Sequence, residues 1–255
     1  MGRRHASVFV AMLLVSQSFG LRAQSSSSRP IARAGDVQEQ NRQILEELRA
    51  IRQLLERMAA PQPSPPQRAV VTGLSEFALG RSDAPMTMVE FTDLQCPFCR
   101  EYGVNVFDEI KKNWIDTGKV RYVARDLPLE MHPQARTAAR AARCAGEQGK
   151  FWEMHTRLMR NANLLSPDYI SKAADELELQ RAPFVSCLAS QRQEEAIERS
   201  IADALQAGIR GTPTFVLGKT TGDRLDGTVI VGAQPYTVFA AKLKELLAAD
   251  DAPTR

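Results

Sequence analysis

Histidine and cysteine are scarce in this chain, and its net charge is small. It contains three histidines and four cysteines in 255 residues, and 33 basic residues stand against 30 acidic ones. Only one pair of cysteines forms a Cys-x-x-Cys motif, and no suitably spaced histidine pair accompanies the others, which argues against a four-ligand zinc site. We expect no metal and no cofactor.

The small excess of positive charge comes from the first 23 residues. Arg3, Arg4 and Arg22 lie there and no acidic residue does, so thirty basic and thirty acidic residues remain in the rest of the chain. Because affinity for nucleic acid depends on clustered positive charge, nucleic acid is not an expected partner.

Long apolar runs are also missing, and the only short one has the setting of an export signal. A basic start at residues 3–5 precedes the run Val8 to Val15, and Leu21-Arg22-Ala23 resembles a small-residue cleavage site. The run is too short for a membrane span of about 20 residues. We therefore expect a bacterial protein with a signal peptide at residues 1–23, periplasmic or otherwise extracytoplasmic, and soluble after cleavage. An uncleaved anchor is the alternative.

A polar segment and a heptad pattern follow the signal. Residues 24–35 are polar and low in complexity, which predicts a flexible segment. Residues 36–60 carry apolar side chains at alternating spacings of three and four, interrupted by Asn41, and this pattern predicts a helix. The apolar positions are Val37, Ile44, Leu48, Ile51, Leu55 and Met58.

Two interpretations of this heptad helix stay open. It either forms a homo-oligomeric coiled coil through residues 36–58 or packs on its own domain. The proline-rich linker at residues 61–67 favours the coiled coil, because a stiff extended spacer holds the helix away from the following domain. Leucine and isoleucine at the core positions do not decide the number of chains.

Cys96 and Cys99 form a Cys-x-x-Cys motif between a predicted strand, residues 87–92, and a predicted helix, residues 101–114. Free N–H groups at a helix start, together with the helix dipole, favour thiolate at the first sulfur. Pro97 suits the first turn of such a helix. Cys96 is then the exposed nucleophile and Cys99 the resolving thiol of a dithiol/disulfide pair. Half a zinc site or a structural bridge is the alternative.

Residues 68–250 predict one domain with a small mixed sheet covered by helices. A helical subdomain at about residues 130–208 interrupts the sheet and is itself broken at residues 161–167 and near residues 181–183. Beyond the first strand we expect strands at residues 120–125, 214–217 and 228–231, a turn at residues 218–227, and a final helix at residues 236–248.

Four segments resemble the DsbA-like branch of the thioredoxin superfamily, and the resemblance they carry covers about residues 70–247. They are Val89–Cys99, Tyr122–Pro128, Cys144–Trp152 and Gly211–Phe215. The resemblance implies an α/β thioredoxin fold with an inserted helical subdomain, here preceded by the N-terminal heptad helix. It also implies a protein-disulfide oxidoreductase that exchanges a Cys96–Cys99 disulfide with cysteines of exported proteins.

The same resemblance implies roles for residues around the motif. Pro213 corresponds to the family's cis-proline, packed against the Cys-x-x-Cys, and a turn proline with a trans bond is the alternative. Thr212 would present substrate by strand addition, with Pro97 and Phe98 also in the substrate-binding surface. Phe98 departs from the strong oxidants of the family, which have histidine here, so we expect a less depressed Cys96 pKa and a less oxidising pair.

Glu90 lies within the apolar strand before the motif. Burial in a covered central strand would raise its pKa, and the resemblance implies proton transfer to or from Cys99. An acid on a partly exposed strand face is the alternative.

The two remaining cysteines and two of the histidines have simpler expectations. We expect a structural disulfide between Cys144 and Cys187, stabilising the fold by roughly 4 kcal/mol, with two separate buried thiols as the alternative. His132 is expected near the active-site groove or in a loop without a role there. His155 is expected to serve in packing.

Three functions follow in order of preference. The first is a dithiol oxidase, which needs a membrane redox partner for reoxidation. The second is an oligomeric disulfide isomerase or reductase, which must be kept reduced. The third is a scaffold protein whose thioredoxin-like domain is a passenger.

Overall fold

The computed structural model describes residues 34–59 and 67–250. The predicted signal peptide at residues 1–23 lies outside the described residues, as do most of the predicted flexible segment and of the proline-rich linker. The heptad region and the globular domain belong to two separate units.

Helix α1, Ala34–Ala59, forms where the heptad pattern predicts a helix. Its apolar side chains at Ile44, Leu48 and Ile51 are 53%, 55% and 52% exposed. On its polar side, Arg42 pairs with Glu39 at 2.7 Å. These three exposed side chains form the apolar stripe of α1.

A seven-stranded sheet forms the centre of the globular unit. Its strands are β1 (Arg68–Thr72), β2 (Ala78–Leu79), β3 (Met86–Thr92), β4 (Val120–Asp126), β5 (Thr214–Gly218), β6 (Thr220–Thr221) and β7 (Arg224–Val231). The order is β1-β7-β5-β3-β4-β2, with β6 paired to β7. Strand β3 pairs in parallel with β4 and antiparallel with β5, and all seven of its residues are buried. This central strand leads directly to the Cys-x-x-Cys.

Helices cover the sheet and form the insert. They are α2 (Pro97–Asn105), α3 (Phe107–Ile110), a π-helical turn (Lys111–Ile115), α4 (Ala135–Gly146), α5 (Phe151–Arg160), α6 (Pro167–Glu176), α7 (Arg181–Ala189), α8 (Arg192–Gln206) and α9 (Tyr236–Asp250). Helices α4 to α8 connect β4 to β5, which confirms the predicted thioredoxin fold with an inserted helical subdomain. No helix among the described residues is both long and apolar enough to cross a membrane.

Some predicted boundaries were wrong. Helix α7 begins at Arg181, where a break was expected, because Pro183 lies in the first turn and its missing N–H is harmless there. The break instead precedes Arg181, next to Glu178, which has a φ of 57°. Strand β7 begins at Arg224, inside the predicted turn, and the short strands β1 and β2 were not expected.

Three apolar clusters hold these layers together. Successive residues of β3 alternate between two of them: Met88 joins the cluster with α9, and Val89 joins the cluster with β1 and α8. Cys96 and Cys99 belong to the third cluster, which consists mainly of residues from the insert. The helical subdomain therefore packs directly against the Cys-x-x-Cys motif.

Candidate active site

Cys96 occupies the N-cap position of α2, and Pro97 is the first residue of the helix. The turn that leads from β3 into the helix is closed by a hydrogen bond from the Cys96 N–H to the Asp93 carbonyl, at 3.0 Å. Because the first N–H groups of a helix have no partner within it, those of Phe98 and Cys99 are free to face the Cys96 sulfur. Both of these backbone groups lower the Cys96 pKa.

The Cys96 thiol is strongly acidic. The hydrogen bond from Cys99 is the largest cause that lowers its pKa, to about 5, against the opposing effect of burial. The expectation of an exposed nucleophile was wrong, since only 3% of Cys96 is accessible. The loop before β5 covers it, and the Thr212 carbonyl oxygen lies 3.5 Å from the sulfur.

Cys99 lies one helical turn further on and is fully buried. Its sulfur accepts a hydrogen bond from the Asp93 N–H at 3.5 Å. Burial raises the pKa of the Cys99 thiol, and the neighbouring Cys96 and Glu90 raise it further. The pKa values of the two thiols are therefore shifted in opposite directions: that of Cys96 is lowered and that of Cys99 is raised.

The loop opposite the motif carries the predicted proline. The peptide bond between Thr212 and Pro213 is cis, and the Thr214 hydroxyl donates to the Gly211 carbonyl at 2.7 Å, which closes the loop. On the helix side, Phe98 is 60% exposed beside the covered nucleophile. An exposed aromatic ring and a loop backbone thus flank Cys96.

Glu90 lies at the centre of β3 and is 2% exposed, so the alternative of a partly exposed acid is wrong. Burial raises its pKa to about 7, although its hydrogen bond from the Tyr122 hydroxyl acts in the opposite direction. In the sheet, Glu90 is in register with Ala124 on β4 and Phe215 on β5. The charge of Glu90 also raises the pKa of the Cys99 thiol.

Asp93 is a residue of the site that the sequence reasoning missed. Its side chain is buried, and its Oδ1 accepts hydrogen bonds from the N–H groups of Gln95 and Cys96, at 2.7 Å and 3.1 Å. An acidic residue three positions before the first cysteine, at the end of an apolar strand, was the available signal. The carboxylate fixes the turn that carries the nucleophile.

The remaining cysteines lie in the insert and are joined to each other. The sulfurs of Cys144 on α4 and Cys187 on α7 are 2.01 Å apart, and both residues are buried. His155 is buried between the rings of Phe151 and Trp152, with centroids at 5.4 Å and 5.3 Å. Burial lowers the His155 pKa to about 4, which agrees with the expected packing role.

Comparison with known proteins identifies the family. A family model described as thioredoxin matches residues 73–226. The chain belongs to the thioredoxin family. This thioredoxin-family chain is also 36% identical over 163 residues to the Na(+)/H(+) antiporter NhaA 3 of Salinispora tropica, a match that covers 64% of the chain and 24% of the antiporter. It is 32% identical over 203 residues to NhaA 1 of Salinispora arenicola, covering 74% of the chain and 30% of the antiporter. The chain thus spans about a quarter to a third of these relatives.

Solved DsbA structures share the fold. The alpha-DsbA1 protein of Wolbachia pipientis has a TM-score of 0.61 and 22% identity, covering 76% of this chain and 96% of that one. DsbA2 of Pseudomonas aeruginosa has a TM-score of 0.56 and 28% identity, covering 69% and 96%. The prediction of a DsbA-like member of the thioredoxin superfamily is confirmed.

Proposed function

We propose that this thioredoxin-family protein is a thiol:disulfide oxidoreductase that exchanges a Cys96–Cys99 disulfide with cysteines of exported proteins. The main support for this proposal is that the pKa values of the two thiols are shifted in opposite directions. The Cys96 pKa is lowered to about 5, whereas burial raises that of Cys99. A stable thiolate at Cys96 is a good leaving group and makes the disulfide oxidising.

In the exchange, a substrate thiolate attacks the Cys96 sulfur of the Cys96–Cys99 disulfide. The S–S bond breaks, Cys99 leaves with the electron pair, and a mixed disulfide joins Cys96 to the substrate. A second substrate thiolate then attacks the substrate's own sulfur in the mixed disulfide. Cys96 leaves as thiolate, the substrate is oxidised to its disulfide, and the motif is left as a dithiol.

Glu90 would move the proton at the resolving cysteine. A thiol of raised pKa takes up a proton when it is released, and a buried acid with a pKa of about 7 is able to donate one near neutral pH. The route between them lies in the interior, since both residues are almost inaccessible to water.

The loop at Thr212 and Pro213 would hold the substrate. A backbone carbonyl that already lies 3.5 Å from the nucleophilic sulfur can also pair with an extended peptide. Pro97 and Phe98, both exposed on the helix side, would contact its side chains. Such backbone pairing is tolerant of sequence, as an enzyme with many clients requires.

We infer that oxidation is the preferred direction. The equilibrium of the Cys96–Cys99 pair with glutathione tests this inference. A potential well above that of the glutathione pool, with rapid oxidation of a reduced peptide, is the expected result. A potential near that of thioredoxin, about −270 mV, would reject the oxidase.

A disulfide isomerase or reductase is the second candidate, and the exposed apolar stripe of α1 favours it. Self-association through α1 would make a homo-oligomer. Oligomers are typical of disulfide isomerases, because oligomerisation prevents the redox partner of an oxidase from oxidising their reduced dithiol. Replacing Leu48 and Ile51 by glutamate tests this candidate. If the variant oxidises a reduced peptide normally but no longer refolds a protein with scrambled disulfides, the chain is an isomerase.

The surroundings of the reaction follow from the same proposal. Export of the chain to the bacterial periplasm or another extracytoplasmic compartment would supply client proteins, and a membrane redox partner would reoxidise or reduce the motif. A scaffold role is the remaining alternative. It predicts that a Cys96→Ser variant keeps full biological activity.

A further inference from the structure

His132 contacts the active-site turn but has no part in the exchange proposed above. Its ring nitrogen Nδ1 lies 2.8 Å from Oδ2 of Asp93, and its side chain is 18% exposed. The ring lines a groove together with Pro97 and Arg100 of α2. It is therefore in contact with a buried acid on one side and with solvent on the other.

Asp93 connects this histidine to the nucleophile. Its carboxylate accepts hydrogen bonds from the N–H groups of Gln95, Cys96 and Leu129, at 2.7 Å, 3.1 Å and 2.8 Å. The ring of His132 supplies the fourth contact. A carboxyl group with three donors and a fourth partner is acting as an acceptor, which is the role of the ionised form.

The Asp93 carboxylate contacts the nucleophile's own backbone: its Oδ1 lies 3.1 Å from the Cys96 nitrogen, and the sulfur of Cys96 is three bonds further along the residue. A carboxylate at such a distance disfavours a second negative charge on the sulfur. Between the two cysteines, Pro97 and Phe98 carry no charge that would offset it. A cation on the side of Asp93 that faces away from Cys96 would offset this charge.

We propose that His132 is a positioning residue that, in its protonated form, offsets the charge of Asp93 and so favours the Cys96 thiolate. The other ionisable groups around the pair are Cys99, Arg100 across the groove, and the exposed Glu130 on the same loop. The biological meaning of the effect rests on the proposed exchange function. The pKa of Cys96 does not depend on that function and is measured separately.

The variant His132→Asn tests the inference in the full-length reduced protein. Asparagine keeps an N–H donor near the position of Nδ1 but cannot be protonated. We expect alkylation of Cys96 by iodoacetamide at pH 5 to slow by about two- to fivefold, which corresponds to a rise of the Cys96 pKa from about 5 by about half a unit to one unit. At pH 9 the variant and the wild type should react equally. Mass spectrometry of the product confirms that Cys96 is the modified residue.

Two further variants separate charge from mere support of the turn. Asp93→Asn added to His132→Asn removes the charge that needs an offset, so the rate at pH 5 should return to the wild-type value or exceed it. Phe98→His added to His132→Asn should also restore the rate, because it supplies a cation from the other side. The matched control Glu130→Gln changes a charge on the same loop and should leave the rate unchanged.

The inference is overturned if His132→Asn reacts like the wild type at every pH, or if the double variant with Asp93→Asn stays as slow as the single one. The second result would show that the four contacts only support the backbone. Should His132→Asn fail to fold, His132→Gln repeats the test. Normal alkylation behaviour without turnover of reduced peptides would reject the proposed function and leave the acidity of Cys96 explained.

Discussion

The two thiols of the motif differ in acidity although only two residues separate them. Cys96 is at the helix start with free N–H groups nearby, and Cys99 is buried one turn later. We predict that Cys96→Ser abolishes peptide oxidation, whereas Cys99→Ser accumulates a mixed disulfide with substrate. Non-reducing gels and mass spectrometry distinguish the two outcomes. A Cys99→Ser variant that turns over normally would contradict the assignment of the resolving thiol.

Glu90 makes stability depend on pH in a defined direction. Its pKa is about 7 in the folded protein and 4.5 as the ordinary value. The unfolded chain therefore loses this proton at lower pH than the folded chain, so stability falls as pH rises from about 4.5 to 7 and then levels off. We predict that Glu90→Gln, which keeps an acceptor for the Tyr122 hydroxyl, gains up to about 3 kcal/mol relative to wild type between pH 4 and pH 8.

Urea unfolding at the two pH values measures this gain. The exposed substitution Glu101→Gln is the matched control and should show no such difference. An equal free energy of unfolding for Glu90→Gln and wild type at pH 8, after correction for their difference at pH 4, would mean that Glu90 ionises freely in the folded state.

At this scale the sequence predicted the cysteines, the acid and the proline, because each lies in a contiguous segment with a characteristic pattern. The resemblance implied that the loop at Pro213 packs against the motif, but not that Thr212 covers Cys96. The role of Asp93, which accepts hydrogen bonds from N–H groups of two loops, was not predicted at all. Those contacts join residues far apart in sequence: 116 positions separate Cys96 from Thr212, and 39 separate Asp93 from His132. Local patterns carry no information on such distances.

Among the elements, the disulfide between α4 and α7 closes the insert. Its cysteines are 43 positions apart, and a loop of this length stabilises the folded state by roughly 4 kcal/mol on the chain-entropy model. We predict that the double variant Cys144→Ala and Cys187→Ala loses about this much in urea unfolding. Its Cys96 should still titrate like wild type, since the groups that form hydrogen bonds with that thiol lie on α2 and the loop before β5. A changed Cys96 titration would show that the disulfide also adjusts the redox site.

Whether a strand could be predicted from the sequence depended on how much of it is buried. Strands β3, β4 and β5 are almost wholly buried and more than half of their residues are apolar, so they could be recognised from the sequence. Strand β1 is an edge strand with alternating exposure, and β2 has only two residues, so neither has enough pattern to be found. Pro183 misled the prediction because proline at a first turn and proline at a break look the same in sequence.

For the whole molecule, we predict from α1 that several chains act together. Its stripe exposes Ile44, Leu48 and Ile51 by more than half each, although burial of such a side chain is worth about 1.5 to 3 kcal/mol. Several of these side chains per helix, paired between copies in knobs-into-holes packing, would overcome the entropy cost of association. We predict that the full-length protein is oligomeric at micromolar concentration, as measured by sedimentation equilibrium.

Substitution within α1 tests whether this stripe is responsible. Leu48→Glu with Ile51→Glu should yield a monomer, because charges at core positions of neighbouring helices repel and cannot be solvated there. The control Arg49→Glu with Gln53→Glu adds as many glutamates on the outer face and should remain oligomeric. Both variants leave the globular unit unchanged, so the Cys96 titration should be that of the wild type in each. The prediction fails if the wild-type protein is a monomer, or if only the control substitutions dissociate the oligomer. The heptad pattern would then have a function other than self-association, and the isomerase would lose its main support.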